Sequence, residues 1–120
     1  MAVTIQTPNG FVDIATEVIA TVVGNSTTEI FGVVGMTSKN AVKDNFRQIL
    51  RQENYSKGVL VNSKDGETNV DVYIVVSYGV KISEVAKNIQ ERVRFNLENQ
   101  LGITGAQVNV YIQNVKVVEN

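Results

Sequence analysis

Residues 69–93 read NVDVYIVVSYGVKISEVAKNIQERV, and this stretch decides the fold. A run of β-branched and aromatic residues stops at Gly79, and a helical pattern opens four residues later at Ser83. In an extended chain Val70, Val72, Ile74, Val76 and Tyr78 share one face, and Asp71, Tyr73, Val75 and Ser77 share the other. The first face is wholly apolar or aromatic and the second is mixed. That suits a central strand covered by helices on one side and partly shielded on the other. Beyond Gly79, Ser83 is the expected N-cap, because its hydroxyl can accept from an orphan amide, with Ile82 as the staple before it. Val85, Ala86, Ile89, Val93, Leu97 and Leu101 then recur at three- and four-residue spacing, and Gly102 stands where a helix of this length stops.

Working outward, the preceding run is joined to this strand through Asp65-Gly66, a strong two-residue turn signal, so residues 58–79 are predicted to form a β-hairpin. After Gly102, the segment 106–118 alternates through Val108, Val110 and Ile112. It then slips by one residue and continues at Val115 and Val117, which predicts a β-bulge near Asn114. Strand, helix and strand together make a βαβ unit.

The N-terminal half is less regular. Residues 11–14 after the only proline, Pro8, suit a short strand. Val18, Ile19, Val22 and Val23 suit one buried helical stripe, with Gly24-Asn25 as its expected stop. Residues 27–36 read as a short apolar strand loosened by Gly32 and Gly35. Ser38 or Asn40 opens a second expected helix, running to about Asn54, with Val42, Phe46, Ile49 and Leu50 on its apolar side. Tyr55 to Gly58 is its exit loop. The expectation is one α+β domain over 1–120: a mixed three- to four-stranded sheet with about three helices mainly on one face, and 1–9 as a flexible N-terminus.

Composition narrows the function classes. The 120 residues are 43% hydrophobic and 19% charged with a net charge of −1, ordinary values for a globular domain and unlike a strongly basic nucleic-acid binder. Cysteine and histidine are both absent. There is therefore no disulfide, thiolate nucleophile or Cys-ligated zinc, and the commonest general base and metal ligand is missing. No signal peptide and no membrane-spanning run is read in the chain, so the expected compartment is the cytoplasm.

No motif adds chemistry. Gly32 and Gly35 lack the spacing of a nucleotide fingerprint, and Asp65, Glu67 and Asp71 lack the order of a calcium loop. Asp13 and Glu17 read as first-turn helix residues. Ser83 and Lys87 are one residue out of register for a Ser-x-x-Lys pair. The expectation is a non-enzymatic protein with no catalytic, cofactor-binding or metal-ligating residue. The candidate interaction surface is basic: Lys39, Lys43, Arg47 and Arg51 recur every four residues with Lys57 just beyond, a stripe suited to phosphates, an anionic lipid surface or an acidic partner. A nucleic-acid-binding module is the alternative. It needs a Gly-x-x-Gly clamp between two helices, as in KH domains, or exposed strand aromatics, as in RRM domains. Gly32-Val33-Val34-Gly35 has the first spacing, but its middle residues are apolar.

One resemblance gathers these pieces. Tyr78-Gly79, Glu84-Val85-Ala86 and Ile89-Gln90 closely resemble the signature of the alkaline-shock-protein family of Gram-positive bacteria, the Gls-type general and cell-envelope stress proteins. Glu17-Val18-Ile19-Ala20, the run from Gly32 to Met36, the run from Lys57 to Val61 and the run from Val108 to Val115 are similar to its remaining blocks. The similarity extends from Gly10 to Val115, and 37–56 departs from it most. The resemblance implies a small cytoplasmic, non-enzymatic protein of envelope stress or homeostasis. In that family some members are held near the membrane by a membrane-anchored protein partner and form homo-oligomers, and others are associated with fatty-acid or lipid metabolism. The family has no established catalytic residue to carry over.

Overall fold

The computed structural model describes residues 2–39, 49–64 and 66–117. Its centre is the strand expected there. In chain order the elements are β1 (Ala2–Thr7), β2 (Gly10–Ala15), α1 (Thr16–Thr28), β3 (Val33–Met36), a 3₁₀ helix (Gln52–Lys57), β4 (Val59–Lys64), β5 (Glu67–Ser77), α2 (Ile82–Leu101) and β6 (Gln107–Lys116). β3, β4, β5 and β6 form one four-stranded mixed sheet, and β1 and β2 form a separate antiparallel pair.

β5 organises the sheet because it is long enough to serve three neighbours. One of its edges pairs in parallel with β6 along Asn69–Ser77. The other edge is shared: β4 pairs antiparallel with its first half and β3 with its second. The β4–β5 pairing is the expected hairpin; Gly66 takes a positive φ of 80° in its turn, and Asp65 lies outside the described residues. Tyr73 is the junction between β4 and β3. Its amide donates to the Gly58 carbonyl at 3.1 Å, and its carbonyl accepts from the Thr37 amide at 2.9 Å. Val70, Val72, Ile74 and Val76 on the inner face are fully buried against Ile19 and Val23 of α1 and Ile89, Val93 and Leu97 of α2. Burying each such side chain contributes on the order of 1.5–3 kcal/mol. Tyr78 does not extend this face. The strand ends at Ser77, and the tyrosine turns into solvent.

The β5–α2–β6 unit is observed with both expected irregularities of its last strand and stop. Ile74 pairs with Ile112 but Val75 pairs with Asn114, so Gln113 is the extra residue of a bulge. Asn114 Oδ1 then accepts from the Val115 amide at 2.9 Å. Gly102 ends α2 with φ 73°, and its amide donates to the Glu98 carbonyl. A side chain there would strain the left-handed backbone. The start of α2 differs from expectation. The helix opens at Ile82, with Lys81 at the cap and no side-chain cap bond, so Ser83 is already inside it. The Lys81 carbonyl accepts from the amides of both Glu84 and Val85, so the cap falls two residues before Ser83.

The N-terminal half brings further corrections. Ala2–Thr7, placed in a flexible leader by the sequence reading, is strand β1. Its Val3 pairs with Ile14 and both are buried. Asp13 is on β2 rather than in a helical turn, and it accepts from the Thr4 hydroxyl at 2.8 Å. α1 does not stop at Gly24-Asn25 but runs on to Thr28. Gly24 is there for close approach: a β-carbon at this position would enter the ring of Tyr55. The buried stripe is accordingly Ile19, Ala20, Val23 and Thr27, and Val18 is exposed. Thr27 is tolerated in the core because its hydroxyl donates to the Val23 carbonyl at 2.7 Å.

Of the second expected helix, 40–48 lies outside the described residues. Ile49, Leu50 and Arg51 are irregular, and the coil that follows is 3₁₀ and includes Tyr55–Lys57 rather than an exit loop. The Leu50 amide donates to the Met36 carbonyl at 2.8 Å, which binds this segment to the end of β3 instead of to a helical turn.

Candidate functional site

The feature that packing does not explain lies where three segments meet at the start of α2. The α1–β3 turn carries Phe31, the β5–α2 loop carries Tyr78, Gly79 and Val80, and β6 ends beside them. The Tyr78 amide donates to the Lys116 carbonyl at 2.8 Å, and the Ser77 amide donates to the Gly32 carbonyl at 2.8 Å. These bonds tie all three segments together. Phe31 is 89% exposed and Tyr78 72% exposed, although both belong to turns held by main-chain bonds. Phe31, Ser77 and Val80 line two adjoining hollows, one of about 500 Å³ that includes Lys81 and Glu84 and one of about 340 Å³ that includes Val33 and Val34. Ile82 and Val117 add exposed apolar area nearby. Large apolar side chains gathered in solvent on ordered turns are uncommon on a protein surface.

The basic surface named from sequence is only partly assembled. Lys39, Arg51 and Lys57 are exposed, and the Lys39 amide donates to the Lys57 carbonyl at 3.3 Å, which places two of the five side by side. The Lys39 carbonyl accepts from Gln113 Nε2 at 3.4 Å. Lys43 and Arg47 lie outside the described residues. Arg51 precedes the 3₁₀ helix, so it does not continue an α-helical stripe.

Neither nucleic-acid template is reproduced by the residues considered for it. Val33–Met36 is a strand paired with β5, not a loop between helices. Tyr73 and Tyr111 do lie stacked on neighbouring strands, with ring centroids 4.7 Å apart and planes 11° apart. Tyr73, however, is only 7% exposed. Burial, then the Asp71 carboxylate and then Tyr111 raise its phenol above the ordinary tyrosine range. A polar groove of about 520 Å³ between α1 and α2 is also structural in character. Its Thr21, Ser26 and Thr28 hydroxyls donate to carbonyls one turn back, and Asn96 Nδ2 donates to Ser26 Oγ at 2.7 Å. Among the described residues no group of three or more acidic side chains is arranged to hold a metal, and no helix is long and apolar enough to cross a membrane.

Comparison with known proteins places this architecture. The model of the alkaline-shock-protein family, described by a cell envelope-related function, matches residues 4–117. The chain belongs to the alkaline-shock-protein family. This is the family indicated by the Tyr78-Gly79 junction and its flanking blocks. Three uncharacterized proteins are among those that the alkaline-shock chain is similar to. Spy1614 of Streptococcus pyogenes is 66% identical over 118 residues, which is 98% of each chain. YloU of Bacillus subtilis is 44% identical over 117 residues, again 98% of each chain, and YqhY of the same organism is 35% identical over 109 residues, 89% of this chain and 78% of its own. No solved structure matches this alkaline-shock chain. The signature Tyr78-Gly79 thus sits in the exposed cluster, while Phe31 was missed from sequence because it stands in an apolar run between Ile30 and Gly32.

Proposed function

We propose that this alkaline-shock-family chain is a non-enzymatic interaction protein of the cell envelope, active in envelope stress or homeostasis. It acts from the cytoplasmic side as a scaffold, by binding a protein partner and by assembling with its own copies. One observation carries this reading. Large apolar side chains stand in solvent at both ends of α2: Phe31 and Tyr78 at its start, and Phe11 and Val12 on the β1–β2 hairpin that packs near its end. Exposed apolar area on ordered elements favours association. Lys39 and Lys57, set side by side by a main-chain bond, and the exposed Arg51 are the candidate charged surface for an acidic partner.

The test is affinity capture from the native cells together with light scattering of the purified chain. The wild type is compared with F11S/V12S, F31S/Y78S and K39E/R51E/K57E. The reading expects a defined partner or an oligomeric mass to be lost with at least one of the apolar pairs. Equal capture and equal mass in all four proteins would contradict it.

A further inference from the structure

β6 is an edge strand without the usual guards. It pairs with β5 on one side, and among the described residues no strand pairs with the other. Free edges are commonly protected by shortness, charge or proline. β6 is ten residues long, and Gln107–Val115 contains no charged residue and no proline. The direction of its main-chain groups follows from the register. Of two residues opposed in a parallel pair, one turns its amide and carbonyl to the neighbouring strand and the other turns them away. Tyr73 turns away, toward Gly58 and Thr37, so Tyr111 opposite it faces β5. Val108, Val110 and Ile112 therefore face the free edge. The Val108 carbonyl is capped there by Gln90 Nε2 at 2.9 Å. Beyond the bulge, the Val115 amide is capped by Asn114 Oδ1 at 2.9 Å. Both ends of the edge are thus closed by side chains, and Val110 and Ile112 stand open between them.

We propose that two copies of this chain join antiparallel along β6, about a two-fold axis at Tyr111, into one continuous sheet. This rests on the reading that the chain assembles with its own copies, and it names the edge and the register. Three observations select a second copy as the occupant. A two-fold strand pair sets residues near its centre against their own counterparts, where any charge would meet its like, and this stretch carries none. The open groups match themselves: Val110 opposes Ile112 of the second copy and the reverse, each pair exchanging two bonds, with both side-chain caps left in place. Finally, Tyr73 has strands on both sides and is 7% exposed, whereas Tyr111 has β5 on one side only and is 45% exposed. Their 4.7 Å ring spacing equals the ordinary distance between strands, so a second Tyr111 extends the stack to a row of four rings. Val110 and Ile112, half-buried on the inner face, are covered in the same step. The pairing uses the free edge of each copy, so at this edge it closes at two.

The chain contains no cysteine, which makes Y111C a single-site reporter. In this register the two copies of position 111 form a non-hydrogen-bonded pair with Cα atoms about 4.5 Å apart, within disulfide reach. The two copies of position 109 are offset by about 13 Å along the strand, out of reach. Full-length Y111C, N109C and F31C are oxidised with copper phenanthroline, and wild type, Y111K and V110P are compared by light scattering over a range of concentrations. The expected results are a disulfide dimer of Y111C formed about tenfold or more faster than of N109C or F31C, and a wild-type mass of at least two chains. Association should weaken about tenfold or more in Y111K, which sets like charges across the axis, and in V110P. V110P removes an amide that faces away from β5, so the sheet keeps its own bonds, and an unchanged circular dichroism spectrum shows the fold intact. Cross-linking at 109 or 31 as readily as at 111, or a wild-type monomer at every concentration, would overturn the proposal. So would a monomer whose partner capture is lost in Y111K, which would put a partner's strand on this edge. An oligomeric mass that F31S/Y78S removes while Y111C stays unlinked would overturn the β6 pairing alone. A Y111C dimer whose mass and partner capture survive both F11S/V12S and F31S/Y78S would overturn the reading of the exposed ends alone.

Discussion

Gly24 of α1 lies face to face with the ring of Tyr55 from the 3₁₀ helix, so closely that no side chain fits between them. Helix α1 can approach the β3–β4 connection only because this position has no β-carbon. Glycine costs a helix interior about 1 kcal/mol relative to alanine, so G24A in isolation should help α1. Here overpacking outweighs propensity, and G24A is expected to lower stability by about 1–3 kcal/mol. Urea unfolding followed by circular dichroism measures it.

Gly24 also shows what could be read from sequence and what could not. The hairpin at Asp65-Gly66, the βαβ unit, the bulge beside Asn114 and the stop at Gly102 were legible, because each depends on local backbone chemistry and an apolar period. The end of α1 was not, since Gly24-Asn25 carries a local stop signal that a distant tyrosine overrides. Strand β1 was not, because Val3 and Ile5 gain their burial from Ile14 and from the end of α2, far along the chain. Of the site, Tyr78-Gly79 was visible as a family signature. Its exposure was not, because alternation carries Tyr78 onto the core face and only the end of pairing at Ser77 turns it outward.

Ile74 is fully buried on the inner face of β5, opposite Met36 and Ile112. Truncation to alanine removes contacts on both sides of the central strand. I74A is expected to destabilise the fold by about 2–5 kcal/mol, read from the shift in the urea midpoint at unchanged slope.

Tyr73 couples the fold to alkaline pH. An unfolded phenol releases its proton near about 10, whereas burial keeps the folded one protonated to higher pH. Across that window the unfolded state holds fewer protons, so stability falls as pH rises from the ordinary tyrosine value through the folded one, and is fully present below it. Thermal melts between neutral and strongly alkaline pH should show a steeper loss in the wild type than in Y73F.

Asn96 joins α2 to α1 through the Ser26 hydroxyl, which itself donates to the Val22 carbonyl at 2.7 Å. N96A leaves a part-buried hydroxyl with one partner fewer. A loss of about 1 kcal/mol is expected, and because the Arg92–Glu29 pair beside it is solvent-exposed, R92A should cost less than N96A. A double-mutant cycle over Asn96 and Ser26 separates the bond from the truncation.

On the function proposed above, the exposed ends of this alkaline-shock-family chain do its work and the aliphatic interior supports them. The quadruple variant F11S/V12S/F31S/Y78S is put through two assays on one preparation: the urea midpoint, and association with native partners and, beyond the β6 pair, with its own copies. The account expects an unchanged midpoint with association lost. A protein that keeps its full association, or loses it only through unfolding, would contradict the account.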